Sequence, residues 1–472
     1  MSKRVVIVGA GISGLTAAWE LRKREPSLEV VVLEAGSVAG GTARTERVDG
    51  FTFDMGPNGF LTNTREAWDL AHEVGIGAEL KPAAGAANRR YLVRRGRLVP
   101  LPTGPLSLAA TGLLSLRGKL SLLRELVAPP LAAGQEESVW SFVARRTSAE
   151  VADLLATPIV LGVTAGNAKA TSVDALFPRF RQLEQAHGSL VRGMFAGAKA
   201  LRALPDDNPI PAPTSRALTS FGAAGAGRLC EALGERLRSQ IRYGWSVASA
   251  TAQQRDWLLR SEQGEELSAD ALIVATPAHR AASLLEASAP PLAQALRAIP
   301  YADIRVVALA YPEAQVAHPM DGFGFLSAPS EGRSLLGAIW SSSVFQEQAK
   351  PGFRLMRVLV GGVHRPDLVA VPAAEAVAII RAELAELMGV TGEPTLARVF
   401  DWPRGIPQYT LGHSDRIAAI EVETAALPGL WLTGNGYRGV GVNDCVRDGR
   451  RVAAGALQWL GVTVTSRGSE CP

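Results

Sequence analysis

Residues 4–41, RVVIVGAGISGLTAAWELRKREPSLEVVVLEAGSVAGG, constrain this chain more than any other stretch. A basic start before an apolar run would suit a signal peptide, but the spacing of the residues after that run does not. Residues 5–8 are rich in β-branched side chains, as a strand buried on both faces should be. Gly9, Gly11 and Gly14 then stand in the order G-x-G-x-x-G. The first allows a tight turn, the second lets the backbone approach a pyrophosphate, and the third lets helix and strand pack closely. Residues 15–24 read as an amphipathic helix whose N-terminal amides would face phosphate. A second strand at 29–33 ends in Glu34, 20 residues past Gly14, where a ribose hydroxyl needs a carboxylate acceptor. A complete strand–helix–strand unit with its acid predicts dinucleotide binding.

The next block separates FAD from NAD. Gly40, Gly41, Thr42, Ala43, Arg44 and Thr45 lead into DGFTFDMGPNGF at 49–60. This pair of segments resembles the second signature of the FAD-dependent amine oxidase and desaturase superfamily. The resemblance implies that the glycine pair and a nearby arginine meet the diphosphate, and that the Gly-Pro stretch lines the isoalloxazine. Glycines give backbone amides close access to an anion or a flat ring. The cofactor-binding residues expected from the two blocks are Gly9, Ala10, Gly11, Ile12, Ser13, Gly14, Glu34, Ala35, Thr42, Gly56, Pro57, Asn58 and Gly59. Thr42 stands where amine oxidases usually carry the arginine of a Gly-Gly-Arg triplet.

Composition removes other classes. With 472 residues, two or three domains are expected. Hydrophobic residues make up 47% and charged ones 20%, a globular balance; a net charge of +4 spread along the chain gives no case for nucleic acid. Cys230, Cys445 and Cys471 show neither a pairing pattern nor metal spacing, which suits a reducing cytoplasm. The six histidines have no partner at i+3 or i+4, so no metal is expected. No apolar run past the first motif reaches the ~18 residues of a spanning helix. Residues 101–134 are leucine-rich and broken by Arg117, Lys119, Arg124 and Glu125 on a helical period. They suit either an amphipathic element on a membrane surface, at the inner face of the cell membrane, or a helical-bundle segment with one buried face.

The pattern implies an α/β fold: a Rossmann-like FAD-binding domain built from discontinuous segments, an antiparallel-sheet substrate domain and an inserted helical domain. Residues 1–80, 225–292 and 400–466 are expected to form the first, 81–100, 200–224 and 293–399 the second, and 101–199 the third. A polar, Pro-containing linker is expected at 204–215, and short antiparallel strands at 241–270 turning at Gln263-Gly264. Strand-like segments from 304 to 362 read as a separate antiparallel sheet.

Toward the C-terminus, LTGNGYRGVGVNDCVRDGRRVA ends a strand near Thr433, crowds four glycines into 434–441 and opens a helix with Asn443 and Asp444 as capping residues. A helix start aimed at a flavin would stabilise negative charge on its reduced ring. Val440, Gly441 and Val442 are expected against that ring. Together with LFPRF at 176–180, SFGAAGAGRL at 220–229, GFGFL at 322–326, LLGAIWSSSVF at 335–345 and IPQYTLGH at 406–413, this motif resembles the oxygen-dependent protoporphyrinogen oxidase family, over essentially the whole chain and in its bacterial branch. The coproporphyrinogen-oxidising branch shares most of these motifs, so both substrates stay open, with an amine oxidase, a carotenoid desaturase and a non-catalytic FAD-binding module behind them.

The resemblance implies non-covalent FAD, O2 as acceptor with H2O2 as product, and a six-electron oxidation in three turns by hydride transfer from meso carbons. Pyrroles are electron-rich and need no strong base, so positioning would carry most of the catalysis. It also implies a propionate held by an arginine of NRRYLVRRGRLVPLP at 88–102, placed at Arg90 with Arg95 as rival. Gly162 is expected to face the macrocycle, Phe323, Leu326 and Leu359 to sandwich it, and Val247 and Trp402 to meet the adenine and flavin ends of the cofactor. A membrane surface and a homodimer stay open as partners.

Overall fold

The computed structural model describes residues 3–132, 134–200, 210, 212–213, 217–254 and 256–462. Most of the expected linker at 204–215, and Cys471, lie outside the described residues.

Five parallel strands form one sheet in the order Ile241–Tyr243, Glu29–Glu34, Arg4–Val8, Ala271–Val274, Leu430–Leu432. In the three central strands the apolar runs are continuous because both faces are covered. Val5 and Ile7 pack with helices Ile12–Arg24 and Val442–Trp459, while Val6 and Val8 pack with a three-stranded antiparallel sheet and helices Ala278–Leu285 and Pro290–Arg297. The antiparallel sheet joins Val247–Ala252, Trp257–Ser261 and Glu266–Ala269, the last two around Gly264. Ile241–Tyr243 departs from the antiparallel expectation: it extends the parallel sheet beside Glu29–Glu34, where Val32 N donates to Gln240 O.

A second sheet has seven strands, in the order Leu396–Pro407, Tyr301–Pro312, Phe353–Gly361, Leu335–Ile339, Gly324–Leu326, Tyr91–Arg94, Arg97–Pro100. It is antiparallel except where Gly324–Leu326 meets Tyr91–Arg94. One face buries Val307, Leu309, Met356 and Val358 under helix Ala373–Met388. The other presents Val306, Ala308 and Leu355 to Phe51 and Phe53 of a hairpin. Strand Leu396–Pro407 runs whole in this sheet, so the boundary expected at 400 falls inside a strand. Pairing with Tyr301–Ala310, from Pro407 back to Leu396 with one bulge, holds it there.

Residues 105–200 are a layer of short helices. Val151–Thr157 runs through a π-helical turn at Ala152–Ala156 just before Pro158, which has no N–H to continue the ladder. A buried ion network ties the layer together: Glu184 accepts from Arg145, Arg146 and Arg181, and Arg146 also meets Glu125. Glu125 thus turns inward and does not join the charged outer face expected of 101–134; it also accepts from Ser189 and from Leu190 N. Among the described residues no helix is long and apolar enough to cross a membrane.

Candidate active site

The turn from Val8 into helix Ile12–Arg24 is built for a phosphate. Gly11 is the helix N-cap; no side chain caps it and the first turn holds no acid, so its amides are unclaimed. A methyl group built on Gly11 would meet no atom within 4 Å, whereas one on Gly14 would stand 2.1 Å from Gly9 O. The loop Gly40–Gly41 lies against the same turn, since Gly40 N donates to Ala10 O at 2.8 Å and a methyl on Gly41 would reach Gly11 Cα at 3.4 Å. Glu34 Oε2 accepts from Ala10 N and its Oε1 from Gly36 N, both at 2.8 Å. These bonds hold the carboxylate at the end of its strand, next to exposed Ala35. Trp245 N donates to Glu34 O, which brings Val247, two residues on, to the same end.

The second expected block continues from this cradle. A methyl on Gly56 would sit 2.0 Å from Thr42 O, so Gly56 is in backbone contact with the loop that covers Gly11. Ile12, Pro57, Gly59 and Val442 line one small cavity together with Cys230. That cavity joins the first turn to the start of the closing helix. Gly449, two turns into that helix, packs so closely that an added methyl would meet Ser13 O at 2.6 Å. The closing helix starts at Val442 with Gly441 as N-cap, two residues before the cap expected at Asn443. Asp444 reaches back to Gly441 N at 3.2 Å, and Asn443 is drawn away to Ala67 N and Leu61 O. The loop before it is held by Tyr409, whose hydroxyl accepts from Gly439 N and donates to Asn435 O, both at 2.8 Å. Cys445 is buried there and its thiol is pushed up to about 12 by burial, which keeps it a protonated packing group.

Several donors in this region make no hydrogen bond although they are buried: Asn58 Nδ2, Thr276 Oγ1 and Arg44 Nε, the guanidinium of Arg44 lying 5.5 Å from the Trp402 ring centroid. A methyl on Gly9 would reach Thr276 Cγ2 at 3.5 Å, and one on Gly434 would lie 3.9 Å from Thr276 O. An uncapped helix start, a glycine cradle and orphaned donors along one path fit a bound dinucleotide.

The expected substrate residues collect on the seven-stranded sheet, on the face turned from helix Ala373–Met388. Leu326, Gly337 and Leu359 are neighbours in register across three strands. A methyl on Gly162 would reach Leu326 Cδ1 at 3.1 Å, so helix Thr157–Thr164 closes over that row. Leu359 and Trp402 share one apolar cluster with Leu161, Ile304 and Ile406, and Trp402 Nε1 donates to Met55 O at 2.7 Å. The cofactor path and the apolar sheet face therefore meet at Trp402. Arg90 stands at the margin, its guanidinium 5.2 Å from the Phe323 ring centroid. Arg95 is placed elsewhere. It caps the hairpin after Tyr91–Arg94, about 16 Å further along the chain, with its backbone N on Glu331.

One residue of this face escaped the sequence reading. Arg357 is 5% exposed, and its Nη2 donates to Gly56 O. Its only signal was a charged residue in the apolar second half of the strand FRLMRVLVG.

A dinucleotide cradle whose far end opens onto an apolar sheet face is that of a flavoprotein oxidoreductase. The profile described as flavin containing amine oxidoreductase matches residues 12–457. Human protoporphyrinogen oxidase is 34% identical over 97% of this chain and 99% of its own length. Coproporphyrinogen III oxidase of Bacillus subtilis (strain 168) is 29% identical over 97% and 98%. The crystal structure of a candidate protoporphyrinogen oxidase from Exiguobacterium sp. 255-15 superposes with a TM-score of 0.84 at 27% identity, covering 98% of this chain and 99% of that one. The chain belongs to the flavin containing amine oxidoreductases and is an FAD-dependent oxidoreductase.

Proposed function

We propose that this enzyme oxidises a porphyrinogen to its porphyrin in three two-electron turns, with protoporphyrinogen IX and coproporphyrinogen III as the candidate substrates. The observation that carries the proposal is the sheet face formed by Leu326, Gly337 and Leu359, covered by Gly162 and joined to the cofactor path at Trp402. Such a face suits a broad apolar ring, and a guanidinium at its rim, Arg90 over Phe323, suits a carboxylate on the ring's edge. The names of its human and Bacillus relatives support the same reaction class.

When bound, FAD supplies the two-electron acceptor and passes the electrons to O2, so one porphyrinogen and three O2 give one porphyrin and three H2O2. The cradle around Gly11 and the carboxylate of Glu34 hold the cofactor's phosphate and ribose, Gly56, Pro57 and Gly59 leave its ring approachable, and Tyr409 fixes the loop before Val442. Leu326 and Leu359 orient the macrocycle and exclude water from it. The expected result in aerated buffer is porphyrin fluorescence rising with three H2O2 per porphyrin formed. Porphyrin appearing at the uncatalysed rate with both porphyrinogens removes the proposal.

We further propose that the leucine-rich segment rests on an anionic lipid surface. Leu106 is 88% exposed, Leu116 75%, Leu123 64% and Val127 77%, with Arg117 and Arg124 exposed among them. Apolar side chains interleaved with cations suit the headgroup boundary. Each leucine buried there contributes about 1.5–3 kcal/mol. A Leu116→Glu/Leu123→Glu double variant is therefore expected to sediment with phosphatidylglycerol vesicles at least tenfold less than the parent. Equal sedimentation of the two proteins contradicts the reading.

A further inference from the structure

Four arginines are buried among the described residues, and three have carboxylate partners. Arg146 pairs with Glu125 and Glu184, Arg181 with Asp174, Glu137 and Glu184, and Arg305 with Asp401. Arg357 is the exception. Its Nη2 meets a backbone carbonyl, that of Gly56, while its Nε and Nη1 make no hydrogen bond. Asp54 is near enough to favour the charged form, but its oxygens are taken by Thr45 Oγ1, Ala226 N and Gln348 Nε2. Burial pushes the guanidinium down to about 10, so it stays cationic at neutral pH. A buried cation without an anion costs several kcal/mol, which a native fold tolerates where a ligand supplies the missing charge.

The position of Arg357 says which ligand. It lies two residues before Leu359 on the same strand and the same face, in register with Ala308 and Ile339. Ile339 is in turn in register with Gly324, the neighbour of Phe323 on which Arg90 stacks. Two strand spacings, about 10 Å, separate the Arg357 and Gly324 backbones. The cofactor's phosphates belong to the cradle around Gly11, which leaves the apolar sheet face as the place where a second anion is required.

We infer that Arg357 binds a carboxylate of the substrate at the inner end of the sheet face, so that the preferred porphyrinogen carries carboxylates on more than one edge. This rests on the enzyme being a porphyrinogen oxidase. Protoporphyrinogen IX has propionates on two adjacent pyrroles and vinyl groups on the other two; coproporphyrinogen III has a propionate on all four. With Arg90 at the rim taking one carboxylate, the edge that reaches Arg357 carries another in the tetracarboxylate. In the dicarboxylate it is an apolar vinyl edge. The site is thereby specific for coproporphyrinogen III.

The test uses FAD-loaded enzyme and two stable planar porphyrins, coproporphyrin III and mesoporphyrin IX, with Kd read from fluorescence quenching. The parent is expected to bind coproporphyrin III at least tenfold more tightly. Arg357→Gln is expected to weaken coproporphyrin III by about tenfold to a hundredfold, the size of a lost charge-assisted bond, and mesoporphyrin IX by less than threefold. Arg357→Lys is expected to keep most of the preference. In turnover, the glutamine variant's loss with coproporphyrinogen III is expected in KM and little in kcat. An equal loss for both porphyrins, or a shifted flavin spectrum with the preference unchanged, overturns the inference. If the glutamine variant does not accumulate, equal Kd values for the two porphyrins in the parent overturn it. A parent that binds neither porphyrin and oxidises neither porphyrinogen overturns the functional proposal itself, a result read without any variant.

Discussion

A Gly11→Ala protein is expected to fold as the parent does and to purify largely without its yellow colour. The backbone at Gly11 is extended, with φ −74°, which alanine adopts readily, and no protein atom lies within 4 Å of the added methyl. The methyl therefore enters only the space through which the turn approaches a pyrophosphate. Overpacking of this kind costs about 1–3 kcal/mol, so FAD affinity should fall roughly tenfold to a hundredfold. Gly14→Ala makes the contrast. Its methyl would stand 2.1 Å from Gly9 O, so strand and helix must separate and the apo-protein itself loses stability. Flavin absorbance per protein and the melting temperature after flavin removal, measured on both variants, check the pair. Equal melting losses would mean that Gly11 has a packing role like that of Gly14.

Removing Glu184 has the largest expected effect on stability. Its carboxylate is fully buried and accepts from Arg145 Nη2 at 2.7 Å, Arg146 Nη1 at 2.6 Å and Arg181 Nη1 at 2.6 Å. Alanine would leave three guanidinium groups facing one another around a void, at a cost of about 3–5 kcal/mol. Glutamine keeps the shape and one acceptor and should cost less. The same cluster sets an acid limit. Burial alone would raise the Glu184 pKa, but hydrogen bonds from the three arginines outweigh it and hold the folded value below the ordinary 4.5. A lowered folded pKa means the contribution is fully present above pH 4.5 and is lost as pH falls through the folded value. The melting temperature of the parent should fall more steeply than that of Glu184→Gln below pH 4.5. Parallel curves would show that other groups set the acid limit.

The parts of the chain legible from sequence are those where local backbone geometry dictates the residue. The turn at Gly9–Gly14 cannot be made with larger side chains, and the acid at Glu34 comes at a fixed chain distance, so the unit announces itself. What stayed hidden depends on partners far away in sequence. Ile241–Tyr243 is apolar and polar by turns and suits either kind of pairing; Gln240 and Glu29–Glu34 decide it. Glu125 sits on a helical period with outward charges, but Arg146, 21 residues on, draws it inward. Asn443 looks like a cap until Ala67 and Leu61 claim its side chain. Arg357 could not be placed because strand alternation gives two faces without saying which covers a ligand; Gly56, 301 residues away, settles its direction.

The central claim is that separate stretches of this chain hold one FAD beside a sheet face that receives a porphyrinogen, and an anaerobic titration of the FAD-loaded enzyme followed at about 450 nm tests it most directly. Six electrons leave each porphyrinogen and each flavin takes two, so one equivalent of coproporphyrinogen III should bleach three equivalents of enzyme and yield one of porphyrin. Flavin that stays yellow with both porphyrinogens, or bleaches with an amine instead, would contradict the account.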